Sequence, residues 1–426
     1  MKYNFIILGG GITGLFVGYK LSERGKKVLI IEKSKDLGGL LGSIQTKGDP
    51  IEKYYHHVFV NDKNFLELIK ELKINDKFNW FESSLGFYNK GKIYDLSTPF
   101  HFVWFKPLNI IEKLRFGLFT LKIKLMKNLD RLDDKIAEDW IIENVGRDVY
   151  EKFFHPLLKS KYGGNSDKVS AAWFIERIKL RTTGGISREK LGYMNGGFNL
   201  LVKILEKKIL ENDGKILREK NISKLIIKNN LIQGVIFDGK RIKSDYVIST
   251  IPLPELAKFK ELPEDFRKKV SKIKYQGAIC LILGLDRQLT DFYWTNIIDE
   301  SSIGALIEHT NFQPLEKYND NIIYLASYPD FESEVWSISE KKVFEKYFDE
   351  LKKLFPDLKR KNVKWWKLSR DKNAGLVYET GYRKKRIRNK TPINNLIIGG
   401  MFNGYPERSI ESSISAGKDI LKLVEG

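Results

Sequence analysis

Gly9-Gly10-Gly11-Ile12-Thr13-Gly14 lies between an apolar run, Tyr3 to Leu8, and a helical stretch, Leu15 to Arg24, that stops at Gly25. A second strand-like run, Lys27 to Ile31, then delivers Glu32. Strand, glycine turn, helix, strand and acid in this order predict a βαβ unit that holds a dinucleotide. The glycines let the backbone approach a pyrophosphate at a helix N-terminus, where free N–H groups and the helix dipole favour an anion. The acid closing the second strand suits a ribose diol. A glycine-rich turn in some other α/β protein is the competing reading. The register of both strands, the helix and the acid speaks against it.

At 426 residues the chain is long enough for two or three domains with substantial cores. Its 42% hydrophobic and 12% aromatic content fits a soluble globular protein. The single cysteine, Cys280, excludes an internal disulfide and fits a reducing, cytoplasmic setting. It lies in the apolar run Gly277 to Leu285, which predicts an inert core thiol. Met1 leads directly into the first strand, read as the absence of a signal peptide. No stretch reaches the roughly 18 uninterrupted apolar residues of a membrane span. The net charge of +20 suits a solvated basic surface, or one that meets anionic lipid or a phosphorylated substrate. No nucleic-acid-binding module is recognisable, and no nucleic-acid partner is expected.

Residues 1–48 form the dinucleotide unit. Phe100 to Lys127 is a different kind of sequence: Leu108, Ile111, Leu114, Leu118, Leu121 and Leu125 recur at threes and fours, predicting a helix with Pro107 in its first turn. Arg115, Lys122, Lys124 and Lys127 interleave with them. Three roles fit: a core helix of a substrate domain, an interfacial helix on a membrane, or a dimer contact. The α/β pattern returns near Gly192, with a helix over Phe198 to Glu211. Strands follow over 215–217, 222–227, 231–237, 246–250, 273–285 and 322–327. A helix over Ser339 to Phe355, a buried strand over Asn395 to Gly400 and a last helix over Ser409 to Val424 complete it. Nucleotide-binding segments at both ends imply a discontinuous cofactor domain.

A second glycine cluster, Leu37-Gly38-Gly39-Leu40-Leu41-Gly42-Ser43, follows Glu32 closely. The pair of clusters resembles the FAD domain of the amine oxidase, phytoene desaturase and protoporphyrinogen oxidase superfamily. The segments Asn221 to Phe237, Asp245 to Pro252 and Asn395 to Gly417 are similar to that domain's middle and closing portions. The resemblance implies an α/β fold: a discontinuous Rossmann-like FAD-binding domain over 1–90, 190–262 and 386–426. A mixed α+β substrate domain with a helical subdomain would occupy 91–189 and 263–385. It implies FAD as cofactor, held by Gly9, Gly11, Ile12, Thr13, Gly14, Glu32, Lys33, Gly38, Gly39, Leu40, Ile222, Gly400, Met401 and Ile410. Leu40 stands where members often have arginine, and Gly399-Gly400 where many have Gly-Asp. Backbone N–H groups around Met401 and the following helix offer substitute donors.

Several segments resemble UDP-galactopyranose mutase more narrowly: Tyr54 to Phe59 with its two histidines, Phe87 to Tyr94, Val149 to Phe154, Lys161 to Gly163 and Arg177 to Arg181. By that match Arg181 faces a substrate diphosphate, which a guanidinium binds as a fork. The mutase's second diphosphate arginine lies in a Tyr-Arg-Ser run; this chain has Tyr275-Gln276-Gly277. The expectation is therefore a flavin-dependent oxidoreductase of the oxidase or desaturase type, passing hydride from a largely apolar or lipid-linked small molecule to flavin. A reduced-flavin isomerase of a sugar nucleotide ranks second, and a flavin-stabilised scaffold third. The substrate is expected to be phosphate-bearing or isoprenoid, and the location cytoplasmic, with peripheral attachment to an anionic inner membrane face as a further option.

Flavin chemistry asks little of side chains beyond positioning the substrate. His56, His57 and Arg181 are the catalytic candidates. Each histidine either moves a proton or orients substrate beside the flavin, or is a packing residue of a structural turn. His309 reads as a satisfied local hydrogen bond, and Glu407 as a residue favouring the dipole of the last helix. No CxxC, HExxH or acidic cluster points to a metal, and no Gly-x-Ser-x-Gly elbow points to a hydrolase.

Overall fold

The computed structural model describes residues 2–181, 187–405 and 409–425. Lys2–Leu8 lies at the centre of a sheet, between Val28–Ile31 and Lys240–Ser249, parallel to both. Apolar residues of these strands are buried on both faces, which is why the sequence reads as continuous apolar runs rather than an alternation. Lys215–Leu217 extends one edge in parallel. Leu231–Phe237 and Ile222–Lys228 extend the other as an antiparallel meander, and Leu396–Ile398 pairs in parallel with Lys240–Ser249. The sheet is thus stitched from three separate stretches of chain. The helix Ile12–Glu23 packs between Asn199–Glu211 and Ile410–Glu425. The α/β class and the discontinuous Rossmann-like layer match the expectation.

A second seven-stranded sheet runs in the order 363–376, 275–285, 321–327, 305–308, 294–297, 85–89 and 92–95. Tyr275–Leu285 is buried throughout and shows the period of two expected of a strand with two packed faces. Ile279, Leu281 and Leu283 meet the helix Glu340–Leu354 through Val343, Phe344, Tyr347 and Leu351, and Ser339 caps that helix. Cys280 and Ile282 face the opposite way, into the core shared with the cofactor sheet. Leu85–Asn89, expected within the 1–90 segment of the cofactor domain, belongs instead to this sheet, because its hydrogen-bonding partners are Trp294–Ile297 and Lys92–Asp95.

Helices fill 99–181. The predicted helix over 107–127 starts later, at Ile110, behind an Asn109–Glu112 capping box, so Pro107 lies before its first turn. Its inward face is also not the leucine stripe. Phe119 and Ile123 are buried against Trp140, Phe154 and Phe174, while Leu114, Leu118, Leu121 and Leu125 face outward. Aromatic stacking among Phe102, Phe116 and Phe154 packs the inward side; the helix is a core helix through Phe119 and Ile123, and of the expected stripe only Leu108 is buried.

Candidate active site

The chain reverses direction at Gly9, whose φ of +103° is closed to most side chains. A Cβ at Gly14 would lie 2.1 Å from the Gly9 carbonyl oxygen, so only glycine lets the helix Ile12–Glu23 start this close to the strand. A Cβ at Gly11 would meet no protein atom within 4 Å; the space beside it is open cavity. Glu32 is 8% exposed, and its carboxylate spans the turn: Oε2 accepts the Gly10 amide at 2.7 Å and Oε1 the Ser34 amide at 2.8 Å. The second glycine cluster lies alongside. Gly38 and Gly39 hold φ of +99° and +59°, and the Gly38 amide donates to the Gly10 carbonyl at 2.8 Å.

From this cradle a cavity of about 1010 Å³ runs between the two sheets. Its wall includes Gly9, Gly11, Ile12, Thr13, Glu32, Lys33, Gly38, Gly39, Leu40, Ile222, Gly400, Met401 and Ile410 of the expected cofactor residues. Gly14 lies behind the wall and acts through close packing. At the far strand the Gly400 amide is held by Asn403 Oδ1 at 3.0 Å in the turn Met401–Asn403. Thr13 Oγ1 donates to the Ser413 carbonyl at 3.0 Å, tying the phosphate helix to the last helix. Pro406, Glu407 and Arg408, where the last helix was expected to gain an acid, lie outside the described residues.

His56 and His57 both reach the cavity wall, by different supports. His56 Nδ1 donates to the Tyr54 carbonyl at 2.7 Å. His57 Nδ1 pairs with the Tyr293 hydroxyl at 3.2 Å, and its ring meets Phe59 edge-on at 5.1 Å. Burial, then the nearby Arg181 and Arg177 guanidiniums, push the His57 imidazole well below its ordinary pKa, so it is neutral at physiological pH. A neutral imidazole offers one ring N–H donor and one acceptor nitrogen with which to orient a substrate.

Arg181 is not in the cavity wall. Its guanidinium donates to Glu189 at 2.9 Å and stacks over Phe59 and Trp294. One helical turn earlier, Arg177 lines the cavity, as does Lys161. The sequence match names Arg181, whereas the helix brings Arg177, one turn earlier, to the wall. His309 is buried away from the cavity, with Nε2 at 2.8 Å from the Tyr318 hydroxyl, the local bond expected of it. Burial pushes its pKa down to about 3.

Several wall residues are not named as site residues from the sequence, although Tyr55 lies in the Tyr54 to Phe59 segment. Tyr55 and Tyr328 face each other with their hydroxyls in contact, and Arg370 and Asp371 come from the long strand Val363–Leu376. Lys367 to Asn373 is too polar to read as a strand. Val363, Trp365, Trp366 and Leu368, β-branched, aromatic and aliphatic residues interrupted by two lysines, are the available signal. Cys280 also lines the cavity, and burial raises its thiol pKa far above the ordinary range, leaving it unreactive as expected.

The family model for flavin containing amine oxidoreductase matches residues 12–420. The chain belongs to this family. FAD is its cofactor, and the open space at Gly11, the left-handed turns at Gly9 and Gly38 and the Glu32 carboxylate fit that group. The chain is 25% identical to 15-cis-phytoene desaturase of Solanum lycopersicum, over 97% of this chain and 76% of the relative. Among solved structures, an oxidoreductase from Methanosarcina mazei superposes with a TM-score of 0.75 at 19% identity, covering 99% of this chain and 100% of that one. Reduced UDP-galactopyranose mutase superposes with a TM-score of 0.75 at 16% identity, covering 99% and 96%. This flavin amine oxidoreductase is thus an enzyme with the fold of both branches anticipated from its motifs.

Proposed function

We propose that this enzyme oxidises or desaturates a largely apolar or lipid-linked small molecule by hydride transfer to FAD, in the cytoplasm and at an anionic membrane surface. The single observation that carries the reading is the character of the cavity beyond the FAD cradle. Tyr55, Phe59, Ile279 and Leu368 supply apolar wall, and no described cluster of acids, histidines and cysteines suited to a metal stands among them. Such a wall buries a hydrocarbon and excludes water, which suits removal of hydride from a C–H bond. FAD supplies the electron acceptor. The chain orients the substrate, with neutral His57 as an orienting group and the Tyr54-bound His56 as the group placed to take or hold a proton. Similarity to a phytoene desaturase supports the oxidase or desaturase branch.

Arg177 and Lys161 in the wall favour a second reading, a phosphate-bearing substrate handled without net redox, as in the mutase. Gln276, at the position of the mutase's second arginine, is 3% exposed and absent from the wall, which weighs against it. Anaerobic titration separates the two. A substrate that bleaches the visible absorption of oxidised FAD supports the oxidoreductase. A substrate converted to an isomer only by pre-reduced enzyme, with no bleaching, overturns it.

A further inference from the structure

Most of the large apolar side chains left exposed among the described residues lie on one stretch. Ile110, Ile111, Leu114, Leu118, Leu121 and Leu125 are 53–71% exposed along the outer face of the helix Ile110–Leu125. The turn before it adds Phe100, Val103 and Trp104, the last 77% exposed. We propose that this face docks onto an anionic lipid bilayer. The proposal rests on the surface-working reading above and names the surface.

Charge geometry selects the occupant. At about 100° per residue the six aliphatics of the helix fall in one sector of about 100°, opposite the buried Phe119 and Ile123. Lys113 and Lys124 then border the stripe on one side and Arg115 and Lys122 on the other. Lys106 and Lys127 lie just beyond its two ends. None of these six cations is in an ion pair among the described residues. The one acid of the helix, Glu112, is 3% exposed, caps the helix and is bound by Lys152 at 2.6 Å, so it adds no negative charge to the face. An apolar stripe edged on both sides by cations is the design of a helix that lies in a headgroup layer. Trp104 beside it has the amphipathic ring favoured at that depth. The 3-4-3-4 spacing of Ile111, Leu114, Leu118, Leu121 and Leu125 would also suit a coiled-coil partner. A second copy, however, would bring cationic edges against cationic edges. No described helix is long and apolar enough to cross a membrane, so the helix lies on the surface.

The docked face is tied to the cavity. Lys179, on the helix Ala171–Arg181, donates to the carbonyl of Met126 at the end of the docked helix, and Arg177 of the same helix lines the cavity wall. A lipid-dissolved substrate would therefore meet the enzyme on the side from which this wall is supported.

The test is co-sedimentation of the FAD-loaded protein with sucrose-loaded vesicles of phosphatidylcholine, alone or mixed with phosphatidylglycerol. Pelleting with the mixed vesicles at low salt, and release by high salt, is expected. Lys124→Gln should weaken binding about fivefold. The double variant Leu118→Asp, Leu121→Asp should lose it at least tenfold while keeping its FAD absorbance, since both side chains are exposed. Failure of mixed vesicles to pellet the protein at low salt overturns the proposal. So does equal pelleting by neutral vesicles, or a solution dimer that the double variant splits. Flavin bleaching is read separately, so loss of the oxidoreductase reading leaves the vesicle result standing.

Discussion

Gly11 and Gly38 form a lone parallel β-bridge that holds the two glycine turns edge to edge. The bridge joins the phosphate turn to the turn leading along the flavin side. The two turns thus present one continuous backbone edge to the cavity.

Gly11→Val is the sharpest test of that cradle. Gly11 has φ −74° and ψ 177°, extended backbone open to any residue, and no protein atom lies near its would-be Cβ. The variant should fold with unchanged far-ultraviolet circular dichroism but bind FAD at least ~100-fold more weakly, about 2.7 kcal/mol. Equal flavin content in wild type and variant would show that the pyrophosphate lies elsewhere.

Glu32→Ala should act on both the turn and the ligand. It leaves the Gly10 and Ser34 amides without their acceptor, at a cost of about 1–3 kcal/mol for each one that water does not reach. Lower FAD affinity and a lower apo-protein Tm are both expected. The flavin released from wild type on denaturation should be FAD rather than FMN, which lacks the adenosine ribose that this acid suits; chromatography of the released flavin decides the point.

Arg177→Ala and Arg181→Ala should separate. Arg177 lines the cavity, so its loss should impair turnover or raise KM while FAD content stays intact. Arg181 is held by Glu189, whose Oε1 is already buried without a partner, so its loss strands a carboxylate and should cost about 1–3 kcal/mol of stability. Measuring Tm alongside kcat and KM checks both. A stable Arg181→Ala enzyme with raised KM would return that residue to the site.

His309 should make the protein acid-sensitive. Its folded pKa lies below the ordinary value, so the unfolded chain takes up the proton first. Stability is present in full above about pH 6.5 and is lost as pH falls towards about 3. The raised carboxyls of Glu52 and Glu308, both pushed up to about 7 by burial, act in the opposite sense. Their stabilisation is lost as pH rises from about 4.5 to 7. These terms cancel when wild type is compared with His309→Gln. From pH 7 to pH 5 the wild type should lose about 2 kcal/mol more than the variant in denaturant titrations. Parallel pH profiles would rule this out.

The cofactor half was legible because its chemistry is backbone chemistry. Glycines at 9, 14 and 38 are demanded by φ values and close approaches that any sequence with this fold must meet, and Gly11 leaves open the space beside the turn; all four appear in the sequence as glycines. The leucine stripe of 110–125 misled for the opposite reason. Periodicity reports that a helix has an apolar face, but not which of two apolar faces a domain buries, and here Phe116, Phe119 and Ile123 compete for the inside. Arg177 and Arg181 share one helical face, and a choice between them needs Glu189, which only the pairing of Lys190–Met194 with Phe78–Glu82 brings near. Tyr328 directly follows the strand Asn321–Ser327 and Asp371 lies in Val363–Leu376, both of the second sheet, where no local pattern announces a cavity.

The stitching of the cofactor sheet also orders events in time. Lys2–Leu8 is made first, its neighbour Lys240–Ser249 some two hundred residues later, and Leu396–Ile398, with Gly400 and the last helix, near the end. During synthesis the nascent chain carries its outward leucines for most of elongation before it has a complete place for flavin. A chain that has not yet made Leu396–Ile398 and Gly400 therefore presents its outward leucines while one wall of its FAD cradle is still missing.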